Sequence, residues 1–165
     1  MLEQMLMEEK AVKKGEFTLT SGKKSEYYAD IKDACSRPEI LGEIVNELKQ
    51  SIEPKVVGGV ELGAVPIVVS LAFDLKIPYI IVRKESTHGM KKLLIGHPES
   101  KPEVTLIEDV VTTGGSLLKA VKLLRENGCT VKEAITVIDR EEGGSELLAH
   151  NGVTLRSLLK IKDLF

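Results

Sequence analysis

The stretch Val104-Thr105-Leu106-Ile107-Glu108-Asp109-Val110-Val111-Thr112-Thr113-Gly114-Gly115-Ser116 decides the fold. Val104–Ile107 is a short apolar strand. A polar, glycine-containing turn follows, and then the helical spacing of Ser116–Asn127, stopped by Gly128. The same alternation surrounds it. Val56–Val60, Pro78–Val82 and Ala134–Ile138 are further short apolar runs, and Ala64–Leu75 has helical character. β-branched runs that alternate with helices predict an α/β fold, a parallel sheet flanked by helices. Ligands of such sheets bind at the carboxyl ends of the strands. The informative residues are therefore those just after Val60, Val82, Ile107 and Ile138.

Upstream, Met1–Lys14 has a helical apolar pattern closed by Gly15. Phe17–Leu19 and Tyr27–Ile31 read as short strands joined by the turn Ser21-Gly22-Lys23-Lys24. Pro38 suits a first helical turn, and Ile40, Leu41, Ile44, Val45 and Leu48 give the helix to Ser51 a buried stripe. No repeat or linker divides the 165 residues, so one domain is expected.

Composition narrows the function classes. The net charge of −2 argues against a strongly basic nucleic-acid binder. No apolar run approaches the roughly 18 residues of a membrane span. The acidic start MLEQMLMEEK does not read as a signal peptide, and two cysteines exclude a disulfide framework. The expected compartment is the reducing cytoplasm. His97 and His150 lack partners at metal-ligand spacing, so no metal centre built by the protein alone is expected. Cys35 and Cys129 read as structural.

The turn after Ile107 carries the chemistry. Gly114 and Gly115 let the backbone fold tightly, so that several N–H groups can face one anion. The helix start adds partial positive charge and free donors, and Thr112, Thr113 and Ser116 add hydroxyls. The pattern fits a phosphate monoester; it is neither a Walker loop nor a dinucleotide fingerprint. Glu108 and Asp109 would repel phosphate directly. They fit ribose hydroxyls, or a Mg²⁺ ion reached through water. A plain helix cap would need one hydroxyl rather than three beside two glycines and two acids.

Two acids, two apolar residues and Thr-x-Gly-x-Ser after an apolar strand resemble the ribose-5-phosphate loop of type I phosphoribosyltransferases. Other segments resemble the orotate-specific branch of that family. Phe17–Tyr28 is similar to its amino-terminal hood, and Glu61-Leu62-Gly63-Ala64-Val65-Pro66 to its pyrophosphate loop. Val82-Arg83-Lys84-Glu85-Ser86-Thr87-His88-Gly89 resembles its catalytic loop, and Asp139-Arg140-Glu141-Glu142-Gly143-Gly144 its base-binding strand end. The resemblance spans about 14–158. It implies a hood over about 1–35 and a core over about 36–165.

The resemblance implies transfer of ribose 5-phosphate from phosphoribosyl pyrophosphate to orotate, with Mg²⁺ as cofactor, in pyrimidine biosynthesis. It implies that Glu108, Asp109 and Thr112–Ser116 hold the phosphorylated sugar, that Glu61, Leu62 and Gly63 hold pyrophosphate, and that Arg83, Lys84 and His88 close over it from a neighbouring copy in a homodimer. Asp109, Arg83, Lys84 and His88 are the implied catalytic residues. Thr112 and Arg140 would contact orotate, with Tyr28 lining the site. The family often has a strained peptide in the pyrophosphate loop. Two departures stand out. The usual loop is one residue longer and has a further Lys where this chain has Ser86-Thr87, and Thr20 replaces a frequent Lys. The alternatives are transfer to another base, or a non-catalytic sensor of phosphoribosyl pyrophosphate.

Overall fold

The computed structural model describes residues 1–18, 22–84 and 92–165. The chain opens with helix α1 (Leu2–Glu8), followed by a two-stranded antiparallel sheet of β1 (Val12–Thr18) and β2 (Lys24–Ala29). Short α2 (Ile31–Ala34) and long α3 (Pro38–Ser51) lead into the alternating part. This comprises β3 (Val56–Val60), α4 (Val65–Leu75), β4 (Tyr79–Val82), β5 (Leu94–Ile95), β6 (Glu103–Val111), α5 (Gly115–Glu126), β7 (Thr130–Asp139), α6 (Gly144–His150) and β8 (Thr154–Lys160). The main sheet has the order β5-β4-β3-β6-β7-β8, parallel except for the β4–β5 pair.

Every residue of β3 is buried, as a strand covered on both faces requires. Two apolar layers result. One gathers Ile40, Ile44 and Leu48 of α3 with Ile67 and Leu71 of α4, and the other gathers Leu117, Val121 and Leu124 of α5 with Leu106 and Ala134. Full burial of each of these Ile, Leu and Val side chains contributes about 1.5–3 kcal/mol relative to exposure. The expected α/β class and the core strands are present.

The differences are local. The opening helix stops at Glu8, not at Lys14. Lys10 adopts a left-handed backbone (φ 57°), and the Ala11 N–H returns to the Leu6 carbonyl at 2.9 Å. Val12 then pairs with Ala29 across β1–β2. Ile31 belongs to a helix, because the Asp30 carboxylate accepts the Asp33 N–H at 3.0 Å and ends the strand. β6 continues through Val111, so Glu108 and Asp109 sit within a paired strand and not beyond its edge. The edge strands β5 and β8 were not expected. The expected Leu19 strand end, Thr20 and the Ser21 start of the hood turn lie outside the described residues.

Candidate active site

The site is built where β6 ends. Neighbouring residues of a strand point to opposite faces. The Asp109 carboxylate lies against Gly63, and its charge reaches the Cys35 thiol. Glu108 is buried and accepts the Asp109 N–H at 3.2 Å. Burial, and then the charge of Asp109, push the Glu108 carboxyl well above the usual carboxylate range, while Lys84 pulls it down. Cys35 is driven by burial to about 12, which keeps it a thiol.

The turn Thr112–Ser116 leaves β6 and starts α5. Gly114 has φ 82°, and a Cβ there would meet Gly144 Cα at 3.0 Å. A Cβ on Gly144 would lie 3.0 Å from the Thr112 carbonyl oxygen. The turn is therefore pressed onto the start of α6, and two glycines make the approach possible. Thr113, Gly115 and Ser116 are exposed. No side chain caps the α5 N-terminus, so the hydroxyls are not spent on a helix cap. Donors and the helix dipole together suit a bound anion.

Glu61, Leu62 and Gly63 follow β3 beside this turn, and the Glu61–Leu62 peptide is cis. The Glu61 carboxylate accepts the Lys84 N–H at 2.6 Å, and the Glu61 N–H donates to the Val82 carbonyl at 2.9 Å. This side chain joins two of the segments singled out in the sequence. Arg83 is held in turn by its N–H to the Leu93 carbonyl at 2.8 Å. A cleft of about 640 Å³ has Arg83, Lys84, Gly115, Ser116 and Lys119 among its lining residues. His88 lies outside the described residues.

Arg140 ends β7 one step away, its N–H donating to the Val111 carbonyl at 2.9 Å. Its side chain is only 5% exposed. Nη2 donates to Ser25 Oγ of the hood and, at 3.5 Å, to the Tyr27 carbonyl, and pairs with Glu142 at 3.0 Å. Nε is buried without a partner among the described residues. Tyr28 is placed elsewhere. Its hydroxyl donates to Asp30 at 3.0 Å, in a groove shared with Lys13, Asp33 and Arg37, and that bond to the carboxylate raises its pKa. It is not gathered with the strand-end residues.

Among the described residues no group of three or more His, Cys, Asp and Glu forms a metal cluster. The donors present, Asp109 beside the uncapped α5 turn, suit an ion whose other ligands are phosphate oxygens and water. Two residues of this site, Lys119 and Ser25, are not singled out by the sequence. Lys119 stands three positions after Ser116, a spacing that puts both on one helix face and could have revealed it. Ser25 reaches Arg140 from a distant part of the chain, and no spacing signals that.

An α/β sheet with a glycine-hydroxyl turn behind two acids defines a phosphoribosyl-binding class of protein. The model of the phosphoribosyl transferase domain matches residues 28–155, and the chain belongs to this family. Among curated relatives, the orotate phosphoribosyltransferase of Thermoplasma volcanium is 49% identical over 164 residues, covering 99% of each chain. That of Thermoplasma acidophilum is 52% identical over 163 residues, covering 99% of this chain and 95% of the relative. The crystal structure of orotate phosphoribosyltransferase from Aeropyrum pernix superposes with a TM-score of 0.87 at 34% identity, covering 99% of this chain and 96% of that one.

Proposed function

We propose that this protein is an orotate phosphoribosyltransferase. It transfers ribose 5-phosphate from phosphoribosyl pyrophosphate to a ring nitrogen of orotate, giving orotidine 5′-phosphate and pyrophosphate. The observation that carries the choice of base is Arg140. It is a buried guanidinium whose Nε–H has no partner among the described residues, an arrangement suited to a base that bears a carboxylate. The name shared by relatives of about half-identical sequence supports the same reading.

In this reading the Thr112–Ser116 turn takes the 5′-phosphate and Asp109 the ribose hydroxyls, while Thr112 faces the base with Arg140. Glu61-Leu62-Gly63, Arg83, Lys84 and His88 face the pyrophosphate. The sugar gains positive charge as the pyrophosphate bond breaks, and cations around the leaving group stabilise the charge that departs. Arg83 offers a two-pronged grip and Lys84 a point charge. Mg²⁺, when bound with phosphoribosyl pyrophosphate, would neutralise phosphate charge. The active form is a homodimer in which Arg83, Lys84 and His88 serve the neighbour's site. The enzyme works in the cytoplasm, in pyrimidine biosynthesis. No helix among the described residues is long and apolar enough to cross a membrane.

The test is consumption of orotate, uracil, adenine and hypoxanthine with phosphoribosyl pyrophosphate and Mg²⁺. Turnover of orotate alone is expected. Turnover with a purine alone would replace this reading. Binding of phosphoribosyl pyrophosphate without pyrophosphate release, whatever the base, would make the protein a sensor.

A further inference from the structure

We propose that Glu142 is a resident counter-ion of the base site, occupying Arg140 until a substrate carboxylate arrives and thereby setting the affinity for an anionic base. The inference rests on the reading of Arg140 as the contact for orotate.

A guanidinium as buried as Arg140 needs a compensating charge nearby. Two acids follow it in the chain, and they part company. Glu141 has φ 55° and turns to Lys162 at 2.8 Å and Lys160 at 3.6 Å. Glu142 turns inward. Its Oε1 lies 3.0 Å from Arg140 Nη2 and its Oε2 lies 3.4 Å from Lys23 Nζ on the hood. One carboxylate thus joins the end of β7 to the β1–β2 hairpin, across the side chain expected to receive the base.

The distribution of donors makes Glu142 a competitor. Among the described residues the side-chain contacts of Arg140 fall on Nη2, which is shared by Ser25, Tyr27 and Glu142, and Nε has no partner. A guanidinium grips a carboxylate with two parallel N–H groups. The side-on fork uses Nε and Nη2, and the end-on fork uses Nη1 and Nη2. Either grip needs Nη2, so a substrate carboxylate must displace Glu142 or share the donor against its charge. Ser25 and the Tyr27 carbonyl are neutral and keep the guanidinium in place without that repulsion.

The experiment measures steady-state KM for orotate and for phosphoribosyl pyrophosphate in the wild-type enzyme and in Glu142→Gln, with inhibition by uracil as the control that lacks a carboxylate. Removing the competing charge lowers the orotate KM by about fivefold, while the KM for phosphoribosyl pyrophosphate and the inhibition by uracil stay as in wild type. Glu142→Asp, which keeps the charge but withdraws it by one methylene, gives an intermediate orotate KM and serves if the Gln variant does not fold. An orotate KM that is unchanged or raised in the folded variants overturns the proposal, as does an equal shift for uracil. If the wild-type enzyme does not consume orotate at all, the functional reading fails and this inference falls with it. Wild-type turnover with an unresponsive KM overturns this inference alone.

Discussion

Gly63 lies directly against the Asp109 carboxylate, with no room for a Cβ between them unless one side moves. A Cβ at position 63 would overlap the Asp109 carboxylate, lying 2.8 Å from even its more distant oxygen. The turn after β3 and the end of β6 are thus fitted to each other at the point where the pyrophosphate and sugar ends of the substrate are expected to meet. Gly63→Ala must push Asp109 or the turn aside. The expected result is a fall in kcat/KM for phosphoribosyl pyrophosphate of about 100-fold, with a stability loss of about 1–3 kcal/mol by denaturant titration. Unchanged kinetics would show that the fit has no functional consequence.

Arg83 and Asp109 are expected to serve different halves of a dimer. Arg83→Ala and Asp109→Asn each cut turnover by about 100-fold or more, with the unfolding midpoint close to that of wild type. When the two inactive variants are unfolded together and refolded, half of the dimers are hybrids. Each hybrid then has one doubly defective site and one intact site. Recovery of about one quarter of wild-type activity is expected from this symmetry argument. No recovery would place Arg83 in the same copy's site.

The Glu108 carboxyl titrates well above its ordinary value, because burial and the charge of Asp109 oppose its ionisation. The folded protein therefore holds a proton that the unfolded chain releases. The sign follows from linkage: stability is fully present below the ordinary carboxylate value and falls as pH rises from there towards the raised folded value. Ligand-free wild type loses stability as pH rises above the ordinary carboxylate range, and Glu108→Gln loses less, as read from denaturant midpoints at several pH values. Parallel profiles for the two proteins would contradict this.

Cys35 is buried with its pKa pushed to about 12, and burial raises Cys129 as well. Neither thiol has thiolate character at pH 8. Iodoacetamide is expected to leave the native protein unlabelled and to label both residues after denaturation, as counted by mass spectrometry. Rapid native labelling of Cys35 would point to an opening of α2 away from Asp109.

The sequence reading was strongest where local chemistry and period coincide. Pro38 stands in the first turn of α3, and Ile40, Ile44, Val45 and Leu48 are buried as the helical spacing requires, with Leu41 half-buried. Gly128, with φ 87°, follows the end of α5. The reading failed where tertiary pairing overrode a local pattern. Val12 fits a helical period with Met5, seven residues before it, yet the left-handed Lys10 turns it into a strand. Glu108 and Asp109 look like a strand end because they are charged, but β7 pairs with them as far as Val111. The placing of Asp109, Thr112–Ser116 and Gly63 near the strand ends is legible because the topology of parallel sheets dictates it. The Arg140–Ser25 contact is not legible, since it depends on how β2 lies against the end of β7. The aromatic ring of Tyr28 suggests a face for the base, but a neighbouring carboxylate, Asp30, holds its hydroxyl in a groove with Lys13, Asp33 and Arg37.

The claim on which the rest depends is that the turn from Thr112 to Ser116 grips the phosphate of a phosphorylated ribose. A crystal structure of the protein soaked with phosphoribosyl pyrophosphate and Mg²⁺ tests it most directly. The account predicts the 5′-phosphate within hydrogen-bond distance of the backbone N–H groups and hydroxyls of that turn, with the ribose hydroxyls on the Asp109 side. A well-occupied ligand whose phosphate lies elsewhere, with the turn empty, would contradict it.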